Sequence, residues 1–465
     1  MNARSPRHTV PPLIPLVLLA AILQGCMSDA GAEADPAPGS GQSPVLFEGA
    51  ILIPGSGAPA IENSAFLVQD GILTRVGRAG EFEIGPGTVR IDLRGKTVMP
   101  ALIGAHGHPG YQEGLTFSSD VYSREVLLAD LARAAFFGVG TVLSMGIDPG
   151  DLAFEIRDET ARGEHGGARL LTAGRGIGSP NAGPAFATWA GIAYEVTTEE
   201  AGRAAVRELA ERQVDMVKIW VDDRGGRAPA LAPDVYQAIL DEAAAIGLPV
   251  TAHVFYHSDA ELLVEAGVHA LAHMARDEVM SDALVAEIVR RGVFVMPNLG
   301  GAERSRLLAP PWEDDAQFLS LLEATVQRAV LERMHETFTS RTPEAAEAAR
   351  ARYSILEASV AKLSAAGAKL LVGPDTGLSD HFFGYAEQRE LELLVEAGMT
   401  PSDAIVAATG RGAEYLGLEN TGTLVEGRVA DFLILDANPL EDIRHTRQIS
   451  AVYLGGREVD RGTGR

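Results

Sequence analysis

From residue 45 the chain alternates short apolar runs with Gly, Asp and Asn: 45–47, 50–53, 65–69 and 72–76, then 89–93 and 97–99. Runs of this length between turn residues predict β-strands. The pattern returns near the C-terminus at 431–435, 451–454 and 457–459. Two β-rich ends around a long middle predict one small β domain assembled from residues 44–99 and 410–465. The middle, 100–409, has a different rhythm. Eight apolar runs, at 101–105, 141–144, 170–173, 216–221, 250–254, 270–274, 293–299 and 370–373, alternate with helical patterns such as 203–213, 233–246, 259–266 and 282–291. Eight β/α alternations predict an α/β fold, a (β/α)8 barrel rather than a doubly wound sheet. Residues 300–366 form the largest insertion and read as mostly helical.

The first 43 residues fit neither pattern. Arg4 and Arg7 precede an apolar run at 16–23, too short for a permanent membrane span but ordered like a secretory signal. Leu23-Gln24-Gly25-Cys26 closes it and resembles the lipobox of bacterial lipoproteins, which implies removal of residues 1–25 and lipidation of Cys26. Cys26 is the single cysteine, so no intramolecular disulfide forms. Residues 26–43, small, acidic and rich in Pro and Gly, read as a flexible tether. Met27 and Ser28 replace the aspartate that retains many lipoproteins at the inner membrane. The expected address is the periplasmic face of the outer membrane, held through the lipid alone.

Composition narrows the partners. The 465 residues carry 63 acidic and 39 basic side chains, a net charge of −24. Loss of residues 1–25 removes two arginines and no acid, leaving −26. Such a surface repels phosphate backbones, so no nucleic-acid partner is expected. The composition leaves a homo-oligomer open.

Candidate chemistry falls at strand ends. His106 and His108, two apart after the first strand, face the same side in extended geometry. His253 ends the fifth strand and His273 the sixth, while Asp375 follows the eighth. A barrel gathers the C-terminal ends of its strands on one rim, so these five ligand-type side chains converge there. Lys218 lies within the apolar run Met216-Val217-Lys218-Ile219-Trp220-Val221, where an unpaired ammonium is costly. Either it snorkels or pairs with Asp222 or Asp223, or its amine is carbamylated into an anionic metal bridge. Tyr256, His257 and Arg276 lie just past His253 and His273 and are the candidate substrate contacts. Arg276 suits a carboxylate, although Asp277 and Glu278 offer it structural partners. His269 reads as non-catalytic. The 176–195 loop, with Phe186, Trp189 and Tyr194, reads as an apolar lid or as rim packing.

The combination of Val98-Met-Pro-Ala-Leu-Ile-Gly-Ala-His106-Gly-His108, Val214-Asp-Met-Val-Lys218-Ile, Ala252-His253, Leu271-Ala-His273, Gly373-Pro-Asp375-Thr-Gly377 and the tail Gly422-Thr-Leu-Val-Glu-Gly-Arg-Val-Ala-Asp431 resembles the amidohydrolase superfamily. The likeness is particularly to the large group related to imidazolonepropionase and the metal-dependent Xaa-Pro dipeptidases. The resemblance spans roughly residues 45–460. It implies a metal-bearing barrel with a β-sandwich from both chain ends, and two divalent ions, zinc. His106 and His108 would hold one ion, His253 and His273 the other. Carboxylated Lys218 would bridge them, and Asp375 would hold the first ion and the nucleophilic water as catalytic base. The implied reaction is cleavage of an amide C–N bond in a small molecule by metal-activated hydroxide, with dipeptides or N-acyl amino acids as substrates. A cyclic amide or lactone is the alternative substrate, and a non-enzymatic binding lipoprotein would lack the ligands. Gly104 and Ser144 depart from the superfamily pattern, which commonly has an acid at each position.

Overall fold

Each of the eight apolar runs of the middle section overlaps a β-strand: β1 Leu102–Gly107, β2 Val139–Ser144, β3 Arg169–Thr172, β4 Val217–Trp220, β5 Val250–His253, β6 Ala270–Ala272, β7 Phe294–Met296 and β8 Lys369–Leu370. The computed structural model describes residues 43–184, 187–313, 315–378 and 381–462. The signal segment, Cys26 and the tether up to residue 42 lie outside these, as does Phe186. Among the described residues no helix is long and apolar enough to cross a membrane.

Every pairing among β1–β8 is parallel. The eight strands pair into two sheets. One is β3-β2-β1; the other runs β4 to β8, with the short strands Ile177–Gly178 and Tyr194–Glu195 added at its β4 edge. Individual hydrogen bonds cross the seams. Ala105 N–H donates to Val372 O and His108 N–H to Thr376 O beside β1, and Asp215 N–H donates to Thr172 O beside β3. The β8 ladder ends at Leu370, and Pro374 beyond it has no N–H with which to extend it. The fold is α/β and TIM-barrel-like.

Alternation along β4 fixes the direction of its side chains. Val217, Ile219 and Val221 join the large apolar core, while Met216 joins a second, smaller cluster with Leu143, Ala272 and Met296. Lys218 has the parity of Met216. Helices follow most strands and start on side-chain caps: Ser123 accepts from Val126 N–H, Thr198 from Ala201 N–H and Ser281 from Leu284 N–H. The insertion is helical as expected, with Leu299–Glu303, Ala316–Glu323, Arg328–Thr339 and Pro343–Ala365.

The two chain ends build a four-stranded and a five-stranded sheet around one apolar cluster. Phe47 and Phe66 of the first sheet stack at 4.9 Å, and both meet Phe432 of the second edge-on at 5.1 and 5.2 Å. Residues 410–416, expected within this β domain, include the helix Gly410–Leu416.

Candidate metal centre

The strand ends bring the ligand-type side chains together. His106 Nε2 lies 3.3 Å and His108 Nε2 2.8 Å from the same Asp375 Oδ1. The His106 ring centroid is 5.2 Å from that of His273, which is 4.5 Å from that of His253. One ligand atom each from His106, His273 and Asp375 lie within 4.8 Å of one another. Lys218 is 1% exposed, and its Nζ has no hydrogen-bond partner. It neither snorkels nor pairs with Asp222 or Asp223.

Backbone geometry aims these groups. His273, Asn298 and Asp375 have φ of +74°, +56° and +62°, a region that non-glycine residues occupy at a cost of about 1–3 kcal/mol each. Three such residues at the ends of β6, β7 and β8 turn their side chains toward one point. Gly377, with φ +97°, is required for a different reason: a Cβ there would lie 2.3 Å from His108 O. The absence of that Cβ lets the Asp375 loop lie against the His106–His108 segment.

Electrostatics favour metal-binding forms. Burial holds His253 and His273 well below the usual histidine range, so their rings are neutral and can offer lone pairs. Burial pushes Asp375 up, but His106 and His108 outweigh it and hold its carboxyl well below the usual carboxylate range. Burial lowers Lys218 to about 7, so a sizeable fraction is the free amine that carbamylation by carbon dioxide requires. A buried amine that makes no hydrogen bond, two imidazoles turned onto one carboxylate and two more beside them fit a pair of divalent ions with a carbamylated lysine between them.

The remaining sequence candidates fall elsewhere on the rim. Tyr256 donates its hydroxyl to Asp223 Oδ1 at 3.0 Å. His257 is buried, with its Nε2 accepting the Ser281 N–H at 3.0 Å, which engages it at a helix start rather than among the four histidines. Arg276 lies over the Phe255 ring at 5.7 Å, within electrostatic reach of Asp375 and Asp222. Asp277, its alternative partner, instead accepts the His257 N–H at 2.9 Å. Trp189 is buried and lies 4.8 Å from the His108 ring, so part of the loop packs over the ligands. Tyr194 instead donates to Glu208. His269, 5.5 Å from Tyr415 and stacked on it, stays outside the cluster.

Three residues escaped the sequence reading. Asn298 Nδ2 is 2.6 Å from His273 Nδ1 and 3.5 Å from Asp375 Oδ2, which ties the ends of β6, β7 and β8 together. Asp148 is buried and accepts hydrogen bonds from Ser144, Tyr122 and Thr172, so an acid reaches the Ser144 position from four residues away. Glu387 Oε1 lies 3.1 Å from where a Cβ on Gly104 would sit, and it accepts from Thr376 Oγ1 at 2.8 Å. Both departures from the superfamily pattern are thus filled by carboxylates from other positions. Only the asparagine, near the end of the predicted strand 293–299, carried a local signal.

The profile of the amidohydrolase family matches residues 97–459. An uncharacterized protein of Mycobacterium tuberculosis is 27% identical over 293 residues, 62% of this chain and 68% of its own. Ochratoxinase of Aspergillus niger is 26% identical over 459 residues, covering 89% of this chain and 86% of its own. A Bifidobacterium longum structure assigned as a prolidase superposes with a TM-score of 0.71 and 26% identity, over 90% of this chain and 95% of that one. With the family profile matched from the terminal sheets through the metal centre and back, the chain belongs to the amidohydrolase family.

Proposed function

We propose that the protein is a metal-dependent hydrolase of small amides whose leaving half carries a carboxylate, such as dipeptides or N-acyl amino acids. The observation that carries the reading is the convergence of His106 and His108 on Asp375, with His273, His253 and Lys218, whose amine makes no hydrogen bond, beside them. The likeness to a prolidase and to ochratoxinase supports amide cleavage. His106, His108 and Asp375 would hold one divalent ion, zinc, and His253 and His273 a second, with carbamylated Lys218 between. When bound, such ions lower the pKa of water toward neutrality and polarise a carbonyl. Asp375, kept ionised, accepts the proton of the attacking water and passes it to the departing nitrogen. Arg276 holds the substrate carboxylate and so sets the scissile carbonyl over the ligands. A complete eight-stranded barrel and a sandwich of the two terminal sheets are the fuller form of this architecture.

The test compares an N-acyl amino acid with its carboxamide, in wild type and in Arg276→Met. Wild type is expected to favour the acid, and the variant to lose that preference by about tenfold or more. Equal turnover of acid and carboxamide, or faster turnover of neutral lactams or lactones, would replace this reading with a cyclic-substrate hydrolase. The location we propose is that of an exported lipoprotein anchored through Cys26. Cys26→Ser should move the protein from the membrane to the soluble fraction, and an unchanged distribution would remove the anchor.

A further inference from the structure

A carboxylate that the ligand set above leaves out reaches the centre from just past β4. Asp222 lies two residues beyond Trp220, which pairs with His253 across the β4–β5 ladder, and this puts its side chain beside the His253 ring. The residue is 3% exposed. Its Oδ2 accepts the Arg224 N–H at 3.2 Å, whereas its buried Oδ1 has no hydrogen-bond partner and lies 3.4 Å from His253 Nε2. These two atoms are near enough for a hydrogen bond but are not aligned for one. A buried carboxylate oxygen without a donor is costly. In the ligand role proposed above His253 is no donor either, since a ring nitrogen that gives its lone pair to an ion carries no proton. Nε2 and Oδ1 are then two acceptors beside one space, and a cation bound by both satisfies them together.

The same pairing occurs on the other side of the centre. There His106 Nε2 and Asp375 Oδ1 are 3.3 Å apart, within a three-residue group with His273 to which neither His253 nor Asp222 belongs. With metal bonds of about 2.1 Å, a nitrogen and an oxygen 3.4 Å apart subtend about 108° at the ion, close to the tetrahedral angle. We propose that Asp222 is a ligand of the second ion, which its Oδ1 holds together with His253 Nε2. Each ion then has a carboxylate of its own, Asp375 for the first and Asp222 for the second, besides the lysine between them. The turn after β4 serves this role, because the Arg224 N–H occupies Oδ2 and leaves Oδ1 facing the histidine. This proposal rests on the two-ion reading above and adds to it one protein ligand.

The experiment titrates zinc into the full-length protein, wild type, Asp222→Asn and Asp222→Glu, followed by calorimetry and elemental analysis. Wild type should take up two zinc ions per chain. Asp222→Asn keeps the size of the side chain and an acceptor for the Arg224 N–H but carries no charge. It should bind the second ion at least about tenfold more weakly and the first as wild type does, and Asp222→Glu should recover part of the loss. Thermal unfolding separates a metal ligand from a structural partner of His253. After chelator treatment Asp222→Asn should have a Tm equal to or above that of wild type, because it removes an unpaired buried charge, and saturating zinc should raise wild type further than the variant. Two zinc ions held equally tightly by wild type and Asp222→Asn, whatever the Tm of the variant, overturn the assignment of Asp222 and leave the two-ion reading standing. A wild type that never takes up more than one zinc ion overturns both.

Discussion

At the scale of single residues, Lys218 is the most exposing test of the centre. A buried primary amine that has the Trp220 ring 5.6 Å away but no hydrogen bond is favoured in neutral or modified form. If carbamylation makes it an anion between two ions, Lys218→Ala should lower the metal content from two per chain to one or fewer and cut kcat by at least about a hundredfold. Lys218→Arg should behave no better, since a guanidinium keeps its charge. Small carboxylic acids added to the alanine variant should restore part of both. Full metal content in both variants, read by elemental analysis, would make Lys218 a packing residue. Asn298 works through others: its contact with His273 Nδ1 orients that ring and leaves Nε2 on the side of the cluster.

At the scale of elements, the helix Tyr385–Glu396 after β8 has a chemical as well as a packing role. Glu390 accepts the N–H groups of Leu299 at 2.9 Å and Gly300 at 2.6 Å, fixing the turn that presents Asn298. Glu387 holds Thr376 next to Asp375. Burial raises both carboxyls to about 7. Because the folded form of Glu390 keeps its proton longer than an unfolded glutamate does, the folded state binds more protons between about pH 4.5 and 7. Stability should therefore fall as pH rises through that window, with Glu390 contributing on the order of 3 kcal/mol to the fall. Glu390→Gln cannot ionise. It should start less stable, having lost one acceptor, yet show a visibly shallower decline of Tm between pH 5 and 7.5. Parallel curves for wild type and variant would place the titration elsewhere.

At the scale of the whole molecule, the terminal sheets and the parallel strands share an element. In the strand Phe432–Leu435, Phe432 and Ile434 belong to the terminal cluster while Leu433 and Leu435 join the large core. Asp431, buried just before it, pairs with Arg169 at the start of β3 and accepts from Thr421 Oγ1 at 2.9 Å and Gly455 N–H at 2.7 Å. Asp431→Ala would leave a half-buried guanidinium and two donors without their acceptor. The expected loss is about 3–5 kcal/mol in denaturant unfolding. If the two parts unfold as one through this joint, the single transition shifts; if the variant unfolds in two steps, Asp431 couples them. An unchanged midpoint would deny it either role.

The sequence by itself determined the kinds of elements and the residues that could bind metal. All eight middle strands were legible because an apolar run between turn residues needs no distant partner to be read. His106, His108, His253, His273 and Asp375 were legible because each ends or follows an apolar run, and parallel strands put their C-terminal ends on one side. Only the tertiary structure decided where the ladder is interrupted, which depends on hydrogen-bond register between strands more than 200 residues apart in the chain. It also decided that Glu387 fills the space above Gly104 and that Asp148 stands in at Ser144. A carboxylate's effect depends on its position in space, and chain distance does not report that.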